Sequence, residues 1–157
     1  MHDAIPEAEL PRLHKYFAIE CNNRAWRLSE ATRRTAAEDR EMLDAAHAAA
    51  CHWLKAGTEL HAARAAMLLG HVHALLGHGD LAMGYARSSY DFLTSCDSPA
   101  WEIAFAHAVL ANAAAAARDR ATHAAHYARA KALGAALDDE DRSYFDATFR
   151  TIPAVID

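Results

Sequence analysis

LLGHVHALLGHGDLAMGYAR, residues 68–87, has the pattern of a helix, a glycine turn and a second helix. Apolar side chains recur at helical spacing in its first half, at Leu68, Leu69, Val72, Leu75 and Leu76. Gly77 then interrupts the pattern, and glycine tolerates the left-handed backbone that ends many helices. Asp80 follows as the predicted N-cap of the next helix. The segment therefore predicts two antiparallel helices joined by a tight turn.

The composition of the chain around this segment favours one helical domain. The 157 residues are 53% hydrophobic but only 8% aromatic, and the many alanines favour helices that approach each other closely. A net charge of −5 from mixed acids and bases gives no broad basic surface, so we expect no binding to nucleic acid. Cys21, Cys51 and Cys96 form no CxxC motif, which predicts free thiols in a reducing cytoplasm.

Export and membrane insertion are not expected. The first ten residues carry acids where a secretory signal needs a basic region followed by an apolar core. The longest apolar run, residues 103–117, is interrupted by His107 and Asn112, and it is too short to cross a hydrocarbon layer of roughly 30 Å. We therefore predict a cytoplasmic protein.

About seven helices are predicted within a single domain that covers residues 1–157. Residues 1–11 are expected to be an extended lead, and residues 138–157 a capping helix with a tail. Thr35 and Glu38 form a capping box, and Thr58 can cap the third helix. No stretch alternates at period two, so no sheet is expected. The predicted helices span residues 12–33, 35–55, 58–76, 80–95, 99–118, 121–136 and a short segment from 138 or 139.

An internal repeat is indicated by the sequence Tyr-Ala-Arg, which occurs twice. Tyr85 and Tyr127 begin the two copies and lie 42 positions apart. The same offset pairs Leu68 with Leu110, as well as several alanines. The lengths of the predicted helices agree with this duplication.

Leu69-Gly70, His73, Gly77 and Ala82 resemble the pattern of a tetratricopeptide helical hairpin. In the second copy Asp119 replaces the turn glycine. The resemblance implies a right-handed array of antiparallel helical hairpins that binds peptides or protein segments. The chain also resembles small helical proteins of bacteria.

In such an array the first helix of each hairpin lines the concave side, which predicts a binding groove. Arginine, asparagine and histidine there can hold a carboxylate or a main chain, and Trp and Met can hold apolar groups. The alternative is that Trp26 belongs to the core and Arg64 pairs with Glu59 or Asp44. The predicted groove residues are Asn22, Asn23 and Trp26 from helix one and Arg64, Met67 and His71 from helix three.

The fifth helix has no continuous polar face, because Glu102, His107 and Asn112 are spaced around it. A helix that is apolar all round is buried all round. On the groove side this helix is expected to offer only small apolar residues. The seventh helix, a second copy of the chain or a partner helix should cover that side, so a homodimer is one expectation.

The sequence therefore predicts a non-enzymatic protein or peptide interaction module that needs no cofactor and self-associates. The alternative is a small metal-dependent helical enzyme. Asp44, His47 and Cys51 lie three and four positions apart on helix two, which places three possible ligands on one side. A di-iron bundle would need a matching carboxylate and histidine on another helix, and His107 and His123 have no acid three residues before them.

Overall fold

The computed structural model describes residues 5–155, which form one 3-10 turn and seven α-helices with no strand. The predicted all-α class is therefore confirmed. Residues 1–4 of the predicted lead and residues 156–157 of the predicted tail lie outside the described residues. The helices are α1 (Leu10–Ser29), α2 (Ala36–Ala56), α3 (Glu59–Leu75), α4 (Gly79–Ser95), α5 (Ala100–Ala116), α6 (Arg120–Ala135) and α7 (Asp139–Phe149).

The first helix differs most from its predicted bounds. A 3-10 turn over Glu7–Glu9 leads directly into α1, which begins at Leu10 with Pro11 in its first turn. The prediction of an extended lead to residue 11 was therefore wrong for residues 7–11, because proline is well placed where helix amides have no partner. At the other end α1 stops at Ser29, earlier than predicted. Arg34, which follows the helix, donates hydrogen bonds to the carbonyls of Leu28 and Ala31.

Three of the predicted helix starts, at Thr35, Thr58 and Asp138, are confirmed by cap hydrogen bonds. The Thr35 side chain accepts from the amide of Glu38, whose carboxylate accepts from the amide of Thr35. Thr58 forms the same box with His61. The predicted cap at Asp80 was wrong, because α4 begins one residue earlier, at Gly79, and its N-cap is His78.

The helices pack as successive antiparallel neighbours, and every odd-numbered helix also contacts the next odd-numbered one. Thus α1 packs on α3, α3 on α5 and α5 on α7, with α2, α4 and α6 each between two of them along the chain. This packing is consistent with a helical array. At the crossing of α3 and α4, a Cβ on Gly70 would lie only 3.0 Å from the amide nitrogen of Ala86, so glycine permits the close approach.

Corresponding points of the two central hairpins lie 41 residues apart in the structure. The starts of α3 and α5, at Glu59 and Ala100, lie 41 positions apart. The starts of α4 and α6 are separated by 41 positions as well. The two residues with positive φ are Gly77 (φ 77°) and Arg118 (φ 61°), again 41 apart among the described residues. The 42-residue offset was therefore wrong by one residue, and the turn glycine corresponds to Arg118 and not to Asp119.

The fifth helix is buried on nearly all sides, as its composition predicts. Its inner residues from Ala104 to Ala106 and from Ala108 to Ala114 are buried. Phe145 of α7 is buried against Phe105 of α5, with ring centroids 5.6 Å apart. The seventh helix thus supplies cover for α5.

The two ends of the array also meet. Thr148 of α7 donates to the carboxylate of Glu30, directly after α1, and Arg150 reaches the Glu30 carbonyl. Both contacts join residues about 120 positions apart in sequence. Among the described residues, every helix is too short or too polar to cross a bilayer.

Candidate binding pocket

The inner faces of the four odd-numbered helices surround one concave pocket. Its volume is about 450 Å³, within the range of about 300–1,000 Å³ that is typical of ligand pockets. Most of its surface is apolar, with polar groups from α1, α3 and α7 around it. The residues that line it are Asn22, Asn23, Trp26, Arg27, Glu30, Arg64, Met67, Trp101, Phe105, Tyr144 and Thr148.

Five of the six predicted groove residues line this pocket. Asn22, Asn23 and Trp26 come from α1, and Arg64 and Met67 come from α3. The sixth, His71, is completely buried one turn after Met67, and its ring stacks on Trp26 with centroids 5.5 Å apart. Its assignment to the groove surface was wrong, because Trp26 lies against it and Asn112 of α5 takes its Nδ1 at 3.1 Å.

The expectation that α5 offers only small apolar residues was also wrong. Trp101 and Phe105 from its first turns line the pocket. Their spacing of four positions is the signal that could have identified them, because such residues share a helix face. Arg27 and Glu30 were missed as well, although Arg27 lies one turn after Asn23 on α1 and Glu30 directly follows that helix.

Aromatic rings form the base of the pocket in edge-to-face contacts. The ring centroid of Phe105 lies 6.0 Å from that of Trp26 and 6.1 Å from that of Trp101, with interplanar angles of 84°. Such geometry places the positive edge of one ring on the negative face of the next. Both indole side chains therefore contact Phe105.

Arg64 connects the base of the pocket to its polar part. Its Nε donates to the carboxylate of Glu102, which is only 1% exposed, whereas the Arg64 side chain is 38% exposed. The pairing with Glu59 or Asp44 was thus the wrong alternative, because α5 brings Glu102 directly against α3. The Arg64 guanidinium also lies 5.6 Å from the centroid of a Trp101 ring, in a cation–π contact.

Two further charged groups lie on the rim. Arg27 is exposed and takes no part in the ion pairs found within residues 5–155. Burial raises the pKa of the Glu30 carboxyl, while the hydrogen bond from Thr148 and the charge of Arg150 lower it. Glu30 is therefore already engaged by α7 and the residues that follow it, but Arg27 is free to meet a ligand.

The predicted metal ligands on α2 do not converge. Asp44 pairs with Arg40 at 3.1 Å, and Cys51 is exposed. Nε2 of His47 lies 3.3 Å from Nε2 of His73 on α3. Among residues 5–155 there is no group of three or more His, Cys, Asp or Glu side chains arranged to hold a metal ion.

Most of the described histidines instead form pairs in which the imidazole of one helix contacts the imidazole of a neighbouring helix. The sequence did not predict these pairs. Nδ1 of His14 lies 2.8 Å from Nδ1 of His52, and the corresponding distance between His107 and His126 is 2.9 Å. Burial first, and then the charge of His126, lower the pKa of His107 to about 4. Neutral imidazoles suit such pairs, because one ring can donate while the other accepts.

The lining combines an apolar surface with polar groups around it, which suits a ligand that is largely apolar and carries polar atoms. Comparison with protein families, with curated proteins and with solved structures finds no match to this chain.

Proposed function

We propose that this protein is a non-enzymatic, tetratricopeptide-like interaction module of the cytoplasm that binds a segment of a partner protein. The observation that carries the proposal is the pocket of about 450 Å³ on the inner faces of α1, α3, α5 and α7. Five of the six groove residues that were predicted from the geometry of a helical-repeat array line it. The pocket holds an anchor side chain of the segment.

The chemistry of the lining supports a peptide as the occupant. Aromatic rings and Met67 offer an apolar surface, while the amides of Asn22 and Asn23 can both donate and accept. Main-chain groups of an extended segment need this combination, since each residue carries one donor and one acceptor. Interfaces likewise depend on a few aromatic and arginine residues at their centre.

The size of the pocket limits what enters it. A whole helix with side chains is about 10–12 Å in diameter and needs an open groove along its length. Here the contacts of Glu30 with Thr148 and Arg150 join α1 to the α7 end of the array. One or two side chains of a partner therefore fit the pocket, and the rest of the segment lies across its rim.

The structure gives less reason to expect self-association than the sequence alone did. The uncovered side of α5 was the reason to expect a second copy, and α7 now covers part of that side. We therefore leave a homodimer out of the proposal.

Selection from a peptide library displayed on phage tests the proposal. Tyr144 lines the pocket and is 66% exposed, so Tyr144→Ala removes part of the site without opening the core. We expect enriched peptides to bind this variant about tenfold more weakly than the wild type, as is usual for an aromatic contact at the centre of an interface. Fluorescence anisotropy with the enriched peptides measures the difference.

Tyr16→Ala is the matched control. Tyr16 is a tyrosine of similar exposure, 56%, but it does not line the pocket, so its loss should leave binding unchanged. A library that yields no enriched peptide, or peptides that bind all three proteins equally, would contradict the proposal.

A further inference from the structure

The pocket has one charge preference that its apolar base does not reveal. Four charged side chains lie at or near its lining, namely Arg27, Glu30, Arg64 and Glu102. Both carboxylates are already engaged, Glu102 by Arg64 and Glu30 by Thr148 with Arg150 nearby. Among the charged side chains of the described lining, those that keep free hydrogen-bond donors are therefore the two arginines.

Arg64 keeps most of its hydrogen-bonding capacity. Its bond to Glu102 uses Nε, and within the described residues its terminal nitrogens Nη1 and Nη2 make no hydrogen bond. Those nitrogens belong to a half-exposed side chain that lines the pocket beside the Trp101 ring. A planar guanidinium matches the two oxygens of a carboxylate.

We propose that the pocket binds an aromatic group that carries a carboxylate, with the ring among Trp26, Trp101 and Phe105 and the carboxylate at Arg27 and Arg64. The inference deepens the proposed function, and its peptide form, an aromatic residue beside an acidic one, rests on that function. A free aromatic acid has the same chemistry and is the second source. The chain as a whole has a charge of −5, so this preference is a local property of the pocket.

Intrinsic fluorescence provides the measurement. The chain has three tryptophans, and Trp53 is away from the pocket, stacked on His61 at 4.3 Å. In a Trp53→Phe background, emission therefore comes from Trp26 and Trp101, which both line the pocket. Titration with 3-phenylpropionate and with its neutral amide, 3-phenylpropanamide, compares two ligands of the same skeleton and size, one with an anionic carboxylate and one with an uncharged amide.

The peptide arm uses the capped tetrapeptides acetyl-Gly-Phe-Glu-Gly-amide and acetyl-Gly-Phe-Gln-Gly-amide. We expect each acid to bind about threefold to tenfold more tightly than its neutral partner, and the advantage to fall in high salt, as for charge pairs at a rim. If the acidic peptide binds more tightly than the free acid, the result supports a segment of a partner protein as the source of the aromatic and carboxylate groups. Binding of the free acid without the peptide would support the site and count against the proposed function.

Arg27→Glu provides the strongest test of the charge, because Arg27 is exposed and supports no buried group. This substitution should remove the preference for both acids. The matched variant Arg12→Glu should keep the preference, because Arg12 lies elsewhere on α1 with a side chain that is 77% exposed. Arg64 is left intact, because its loss would strand the buried Glu102. Thermal unfolding checks that both variants fold.

Equal binding of acid and neutral partner, unchanged by Arg27→Glu, would overturn the inference and leave the proposed function standing. Absence of any change in emission with all four ligands would also overturn the inference, while the library selection decides the proposed function separately.

Discussion

Arg118 has a backbone conformation that most residues avoid. Its φ of 61° is left-handed, and it occupies the position that Gly77 holds in the preceding hairpin. For a residue with a Cβ this conformation costs roughly 1–2 kcal/mol. Gly77 has no such cost, and a Cβ there would meet nothing within 4 Å.

We therefore expect Arg118→Gly to raise the free energy of unfolding by about 0.5–1 kcal/mol, the strain removed less the extra entropy of glycine in the unfolded chain. Gly77→Ala, the reverse change at the equivalent turn, should lower it by about 1 kcal/mol. Urea unfolding followed by circular dichroism measures both. A loss of stability in Arg118→Gly would show that the arginine side chain contributes more than its backbone costs.

At the scale of the helices, the packing of α6 against α7 depends on a missing side chain. A Cβ on Gly134 would clash with the edge of the ring of Phe145, the buried aromatic residue of α7. Gly84 is also in the middle of a helix, α4, but a Cβ there would meet nothing within 4 Å. The two glycines therefore separate steric effects from helix propensity.

Gly134→Ala should lower the free energy of unfolding by about 1–3 kcal/mol, because an overpacked core must move Phe145 or shift a helix. Gly84→Ala should raise it by about 0.5–1 kcal/mol through propensity alone. Thermal unfolding of the two variants beside the wild type measures the contrast. Equal stabilisation in both would mean that α7 adjusts its position without cost.

The helices were predictable from sequence because their signals are local. Apolar periodicity, the capping box at Thr35 and the turn at Gly77 each depend on residues within one or two turns. The pocket was half predictable, since Asn22, Asn23 and Trp26 share a face of α1 and Arg64 and Met67 share a face of α3. The contribution of α7 depends on how the array closes, which no local pattern encodes.

The repeat shows why similarity in an alanine-rich sequence misleads. A shift of one residue rotates a side chain by about 100° around a helix. Tyr85 stacks on His73 at 5.6 Å, whereas Tyr127 packs against Phe149 of α7 at 4.8 Å. The two Tyr-Ala-Arg segments therefore occupy different environments, and the turns with positive φ are the better marker of the register.

The histidines make the stability of the whole molecule depend on pH. Burial, with a smaller contribution from Arg34, lowers the pKa of His71 to about 3, and burial also lowers the pKa of His73, His107 and His126. An unfolded histidine titrates near pH 6.5. Below that pH the unfolded chain binds more protons than the folded one, so stability falls as the pH falls from 6.5 towards 4.

We expect His71 alone to contribute a loss of about 3 kcal/mol between pH 6.5 and pH 4. Urea unfolding at pH 7.5, 6, 5 and 4.5 measures the slope. His71→Gln should flatten it, whatever its effect at neutral pH, because glutamine does not titrate. His123→Gln on α6 is the control, and an equal slope in both variants would show that the acid sensitivity has another origin.

The junction of Glu30 with Thr148 and Arg150 also fixes the number of helices. An open array of hairpins can grow by duplication, because each added unit contacts only its neighbours. In this chain a further hairpin between α1 and α7 would carry Thr148 away from Glu30 and separate the helices that line the pocket. Lengthening by one unit would thus remove the site instead of extending it.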